Sequence, residues 1–336
     1  MRRLDRRAWI VAALSATVLT GSFGAAAAQS SGSDGSPDKV VIRFTWKLKG
    51  EYAPLFVALD KGYYKAEGID VTLAEGSGAQ TVLKVVATGQ EPFAYGPAVN
   101  AVQAVGQDLP VKLVALYQAS TPMGVISFPD MPLKTPKDME GKSIAISSGE
   151  TFSDMIRPFL KVNGVDIEKV NRVQMDNSAR ASQFMARRVD LMSVFLTNDL
   201  PKMEHVAKTK FNVLEVADFG LAVPGAALIV NTAWAEKNPA LVTKVLRATA
   251  KGYADAMADP VAAAQIFQKY LTIKEDPGVL ERQVRATMRS TNAPAGKPIG
   301  WQDDATWIKC LDLLTETGTV KVRKEPGAYY TNAYLE

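Results

Sequence analysis

Cysteine and histidine are almost missing from this 336-residue chain, which holds one of each, Cys310 and His205. A single thiol excludes an intramolecular disulfide, and with no second cysteine or histidine beside either residue a zinc site cannot be assembled. Cys310 falls in an apolar helical pattern between Trp307 and Leu314, the setting of a buried structural thiol. His205 stands alone on a predicted helix after Pro201, which suits a structural or solvated side chain better than a ligand. Two motifs that announce enzyme classes are also lacking: there is no G-x-S-x-G elbow and no G-x-x-x-x-G-K-[ST] loop. Charge of one sign is not in excess either. The whole-chain balance is +4, and the first 28 residues carry four arginines and one aspartate, so without them it is +1. Such a surface gives no case for a nucleic-acid partner or an acidic membrane face.

What is present begins with a targeting pattern. Met1 to Arg7 is a basic head, Ala8 to about Ala28 is apolar, and the run closes on Ala25-Ala26-Ala27-Ala28-Gln29. The span is short and poorly flanked for a membrane helix, and the pattern predicts a secretory signal peptide over residues 1–28, cleaved after Ala28. Arg6-Arg7 loosely fits a twin-arginine signal, so export by either the Sec or the Tat route stays open. No cysteine lies near the cleavage site, which excludes a lipid anchor there. Residues 29–38, rich in serine and glycine, read as a disordered tether. About 300 residues follow, enough for two domains.

The stretch from Val40 to Gly76 organises the first of these. Val40 to Trp46 alternates apolar and polar residues as a strand does. A polar turn, Lys47 to Tyr52, leads into a helix with Leu55, Phe56, Leu59 and Tyr63 on one face, stopped at Gly62. Gly68 then turns the chain into a second strand, Ile69 to Leu73. This is a βαβ unit, and open α/β sheets bind ligands at the carboxyl ends of their parallel strands.

The run from Trp46 through "ALDKGYYKAEGIDV" resembles the first unit of periplasmic solute-binding proteins of ABC importers, in the nitrate/sulfonate/taurine and thiamine-pyrimidine-precursor group. Ala87 to Pro97 resembles that group's third-strand entry, with Pro92 in place of the usual acidic residue. Pro136-Lys137-Asp138-Met139-Glu140-Gly141-Lys142 followed by Ser143 to Ile146 resembles the opening of its second lobe. The resemblance implies a two-lobed type II periplasmic binding protein fold, α/β, each lobe a mixed, mostly parallel sheet flanked by helices and joined by a two-segment hinge. Residues 39–130 plus 227–336 are expected to form lobe 1 and residues 131–226 lobe 2, with crossings near Ser127 to Thr135 and Phe219 to Asn231. It further implies a monomeric periplasmic receptor that takes up a small-molecule ligand, needs no cofactor and is read by an inner-membrane ABC permease.

Residues at the carboxyl ends of strands in both lobes would converge on the cleft. They are Trp46, Glu51, Tyr52, Ser77, Tyr95, Ser147, Thr151, Asn177, Thr197, Asn198 and Asp218. Aromatic rings offer stacking area at low entropy cost, and Ser, Thr and Asn supply directional hydrogen bonds. For Ser77, in a Gly-Ser-Gly turn, and Thr151, at a helix start, an ordinary turn or cap is an equal alternative. Lys47 and Lys49 lie beside Glu51 in the first loop, with Glu150 and Asp218 expected to face them. Such mixed signs favour a neutral or amino-bearing aromatic heterocycle, such as a thiamine pyrimidine precursor, over a sulfonate, taurine or nitrate. Two enzymes also share the architecture by resemblance. In the fungal pyrimidine synthase an active-site histidine occupies the approximate place of Tyr52 and a cysteine-rich motif is present, and desulfinases need a cysteine in the cleft; this sequence offers neither.

Overall fold

The structure is a computed structural model that describes residues 36–336. The expected signal peptide and all but the end of the tether lie outside the described residues. The remainder is built on two five-stranded sheets.

The first sheet holds β1 (Asp38–Phe44), β2 (Ile69–Ala74), β3 (Phe93–Pro97) and β4 (Val111–Leu116), with β10 (Ala226–Asn231) returning from the far end of the chain. Its order is β2-β1-β3-β10-β4. β1 runs parallel to both its neighbours, and β10 is antiparallel to β3 and β4. The alternation read in the sequence is visible in β1, where Val40, Ile42 and Phe44 are buried. The second sheet repeats the plan with β5 (Met123–Ser127), β6 (Ser143–Ile146), β7 (Asn171–Gln174), β8 (Leu191–Phe195) and β9 (Asn212–Glu215), ordered β7-β6-β8-β5-β9. Here β5 is the antiparallel strand, paired with β8 and β9. Each sheet therefore borrows its antiparallel strand from a segment that has just crossed between lobes.

That topology moves the expected lobe boundary. β5 belongs to the second sheet, so the chain leaves lobe 1 before Met123 and not after residue 130. The proline-rich segment within Ser127 to Thr135 is a loop inside lobe 2. The crossings are Tyr117–Pro122 and Leu221–Gly225, and they are tied to each other: Gly225 N–H donates to the Gln118 carbonyl at 2.9 Å and Thr121 N–H to the Val223 carbonyl at 2.7 Å. Close approach here requires glycine, because a Cβ on Gly225 would stand 2.8 Å from the Gln118 Cβ.

Helices cover both sheets. In lobe 1 the helix Ala53–Asp60 crosses the long helix Pro239–Ala258, and at the crossing a Cβ on Gly252 would meet the Pro54 carbonyl oxygen at 2.2 Å. Helices Pro260–Tyr270, Pro277–Arg289 and Asp304–Glu316 also belong to this lobe. Asp259, Asp276 and Asp303 cap them by accepting first-turn N–H groups. In lobe 2 the helix Thr151–Val162 buries Phe152, Met155, Ile156, Phe159 and Leu160 on one face. No helix among the described residues is long and apolar enough to cross a membrane.

Candidate functional site

A cavity of about 240 Å³ lies between the lobes, at the carboxyl ends of the parallel strands of both sheets, lined also by Gln118 and Gly225 of the crossings and by Ala226 at the start of β10. Strand ends present loops and helix starts there, because each parallel strand must be followed by a crossover.

The lobe 1 wall grows from β1. Thr45 N–H extends the ladder to the Tyr95 carbonyl at 3.0 Å, and Trp46, half-buried, then leaves the sheet at the cavity wall. Tyr52 stacks on Phe44 with ring centroids 4.1 Å apart and meets Tyr95 edge-on at 5.6 Å. Burial, reinforced by the neighbouring Glu51 carboxylate, holds its phenol well above the ordinary value, so it is a neutral hydroxyl. Lys49 Nζ lies 3.2 Å from Glu51 and 4.7 Å from the ring centre of Phe195, which belongs to lobe 2. Burial works against the Lys49 charge, but Glu51 and Asp199 outweigh it and the pKa is raised.

The lobe 2 wall is an internally satisfied network. Glu150 caps the helix Thr151–Val162, accepting from Phe152 N–H at 3.1 Å and Ser153 N–H at 2.7 Å. Arg180, 7% exposed, stands 3.7 Å from Glu150 and donates to Asn177 Oδ1 at 3.2 Å and to the Ser193 carbonyl at 3.0 Å. Asp199 accepts from Phe195 N–H at 2.8 Å. Lys202 is paired with Glu275 across the lobes at 2.5 Å. Each cation on the cavity wall thus already has a carboxylate partner. A neutral guest leaves those pairs intact, whereas an anionic one must compete with a carboxylate for its cation. Two helices of lobe 1, Ala79–Ala87 and Ala98–Gly106, begin at the wall without a side-chain cap. The Ala98 N–H of the second donates to the Gly225 carbonyl at 2.7 Å, and the remaining first-turn N–H groups suit an acceptor atom on a guest.

Of the residues predicted from sequence, the fold brings Trp46, Glu51, Tyr52, Thr151 and Asn177 to the cavity wall. The other six are placed elsewhere. Ser77 is exposed on its turn, and the neighbouring Gly78 and Ala79 line the wall instead. Tyr95 sits in the lobe 1 core with its hydroxyl 2.5 Å from that of Tyr253, because strand alternation turns it toward the helices. Ser147 is buried and its N–H donates to Ser153 Oγ, while Thr197 accepts from Asn198 at 2.9 Å. Asn198 is buried against Glu51 across the lobes. Asp218 is exposed on a turn beyond the edge strand β9. Arg180, Asp199, Lys202, Gln118 and Gly225 line the cavity without having been singled out. Asp199 stands just beyond β8, within reach of the same strand-end reasoning. The two crossing residues could not be placed without knowing which sheet β5 joins.

The sequence model of the family described as NMT1/THI5 like matches residues 49–263, nearly two-thirds of the chain. The chain belongs to the NMT1/THI5-like family. It is similar to a riboflavin-binding protein of Chloroflexus aurantiacus, 26% identical over 309 residues that span 88% of this chain and 86% of the relative. A formylaminopyrimidine-binding protein of Halalkalibacterium halodurans is 22% identical over 288 residues, 84% of this chain and 86% of its own. A 4-amino-5-hydroxymethyl-2-methylpyrimidine phosphate synthase of Aspergillus parasiticus is 23% identical over 319 residues, 89% and 88% of the two chains. Relatives of this NMT1/THI5-like protein thus carry the names of binding proteins and of a synthase. Among solved structures, the periplasmic aliphatic sulphonate binding protein of Escherichia coli superposes with a TM-score of 0.69 at 14% identity, covering 87% of this chain and 92% of its own. The fold is the two-lobed periplasmic binding protein fold expected from the sequence.

Proposed function

We propose that this protein is an extracytoplasmic solute-binding receptor that encloses a small ligand between its lobes and presents it to the permease of an ABC importer. The observation that carries the reading is the interlobe cavity, walled by both sheets and backed by the two crossings. In this reading the protein is exported by its N-terminal signal and works as a monomer, without turnover. His205 is exposed and Cys310 is buried in lobe 1, and neither lines the cavity, which supports binding without chemistry.

The preferred ligand is a neutral aromatic heterocycle of one or two rings, of the thiamine pyrimidine precursor kind. Trp46 and Phe195 supply apolar area, and each cation on the wall is paired with a carboxylate. The volume supports the size limit, since about 240 Å³ falls below the roughly 300–1,000 Å³ of sites for drug-sized molecules. A ribityl-bearing tricyclic flavin would need a wider gap between the lobes. A sulfonate or nitrate is the second reading, favoured by the two uncapped helix starts in lobe 1. A thermal-shift screen of the purified protein against pyrimidines, riboflavin, sulfonates and nitrate tests both. Monocyclic heterocycles should raise the melting temperature, a binding-linked gain of about 2.7 kcal/mol at a ligand concentration one hundred times Kd. Stabilisation by oxyanions alone would overturn the ligand choice, and conversion of a heterocycle to a new product would overturn the receptor reading.

A further inference from the structure

The lobes are held together on one flank of the cavity by hydrogen bonds that involve no guest. Asn198, just before the helix Asp199–Ala207 of lobe 2, accepts from Glu51 N–H at 3.0 Å and donates from Nδ2 to Glu51 Oε2 at 2.8 Å. Its carbonyl accepts from Gln283 Nε2 at 2.9 Å, and Gln283 Oε1 in turn accepts from Gly50 N–H at 3.1 Å. Gln283 lies on the helix Pro277–Arg289 of lobe 1, so one asparagine of lobe 2 is gripped by two separate elements of lobe 1. Asn198, Gln283 and Glu51 are 1%, 3% and 8% exposed. Thr197 completes the set by accepting a second bond from Asn198 Nδ2.

We propose that Asn198 is the centre of an interlobe latch that populates the closed form before any ligand arrives. Every polar atom of its side chain is satisfied, and its carbonyl is too, so bringing the lobes together here does not strand a buried donor or acceptor. Three of the bonds cross between lobes and all three are lost on opening. Neither Asn198 nor Gln283 lines the cavity, so a substitution at either changes closure while leaving the ligand's own contacts in place. By population shift, a receptor whose closed form is already populated binds its ligand more tightly than one that must first close. Only that consequence rests on the receptor reading; the latch itself is a property of the unliganded chain.

The test is small-angle X-ray scattering of ligand-stripped protein, comparing the parent with Asn198→Ala and Gln283→Leu. At about fivefold for a neutral hydrogen bond and at least about tenfold for one to a carboxylate, Asn198→Ala should lower the closed-to-open ratio by about 50-fold or more and Gln283→Leu by about fivefold. Both variants should show a larger radius of gyration than the parent while circular dichroism stays native. Should Asn198→Ala fail to fold, Gln283→Leu alone decides. Scattering profiles identical among parent and folded variants, whether all compact or all extended, would overturn the latch. Because no ligand is present, a protein that binds none of the screened compounds still gives a clear answer here, and the two proposals fail separately.

Discussion

Arg180 is the residue whose removal the structure prices most clearly. Its guanidinium is almost wholly enclosed, with the side chain 8% exposed, and it faces Glu150, Asn177, the Ser193 carbonyl and hydroxyl, and the Ala145 carbonyl at 3.4 Å. Arg180→Ala deletes these bonds and leaves Glu150 without its cation. Breaking a buried pair costs about 3–5 kcal/mol when the survivor is left unpartnered. Glu150 keeps the Phe152 and Ser153 N–H groups, so the low end applies and the expected loss is about 3 kcal/mol. At about 2 °C per kcal/mol for a chain of this size, the melting temperature should fall by about 6 °C. Arg180→Lys should recover less than half of that, because an ammonium cannot reach the forked set of acceptors that a planar guanidinium serves. Thermal denaturation followed by circular dichroism measures both. If Arg180→Ala melts within about 1 °C of the parent, the network is not a stabilising one and the reasoning fails.

Other substitutions and conditions have equally definite outcomes. Gly252→Ala should destabilise by about 1–3 kcal/mol or more, seen as a lower urea midpoint, because the new methyl meets the rigid Pro54 carbonyl and the two helices must part. Cys310, buried with its thiol pushed up to about 12, should not react with an aromatic disulfide reagent at neutral pH until the protein is unfolded; fast labelling of native protein would contradict its placement. The carboxyls of Asp60, Asp255 and Asp138 lie below the ordinary range, held there chiefly by Lys269, by Lys61 and by the N–H groups of Lys134 and Thr135 respectively. A carboxyl lowered in the folded state stabilises fully above its unfolded pKa of about 3.9, and the gain disappears as pH falls through the folded value. The urea midpoint should therefore be flat from about pH 5 to pH 7 and drop below about pH 4, and a midpoint that rises on acidification would refute the assignment.

By itself the sequence determined the local elements and the kind of fold. Alternation from Val40 to Phe44 and the helical face of Leu55 and Phe56 reflect burial that each segment must satisfy wherever it packs, so they are legible without partners. A cap such as Asp259 before Pro260 acts within one helical turn, so it too is readable in isolation. The strand-end rule picked out Trp46, Glu51, Tyr52, Thr151 and Asn177, which the fold places on the wall of the interlobe cavity. What only the tertiary structure decided is which strand pairs with which and where side chains turn next. Met123 to Ser127 is an apolar strand that either sheet could accept, and its pairing with Leu191–Phe195 moved the crossing to Tyr117–Pro122. Tyr95 lies mid-strand in β3 and Asn198 precedes the helix that follows β8, and neither lines the cavity. One is turned inward onto Tyr253 and the other is taken up by the opposite lobe, and contacts between residues 85 or more positions apart leave no periodic trace in the chain.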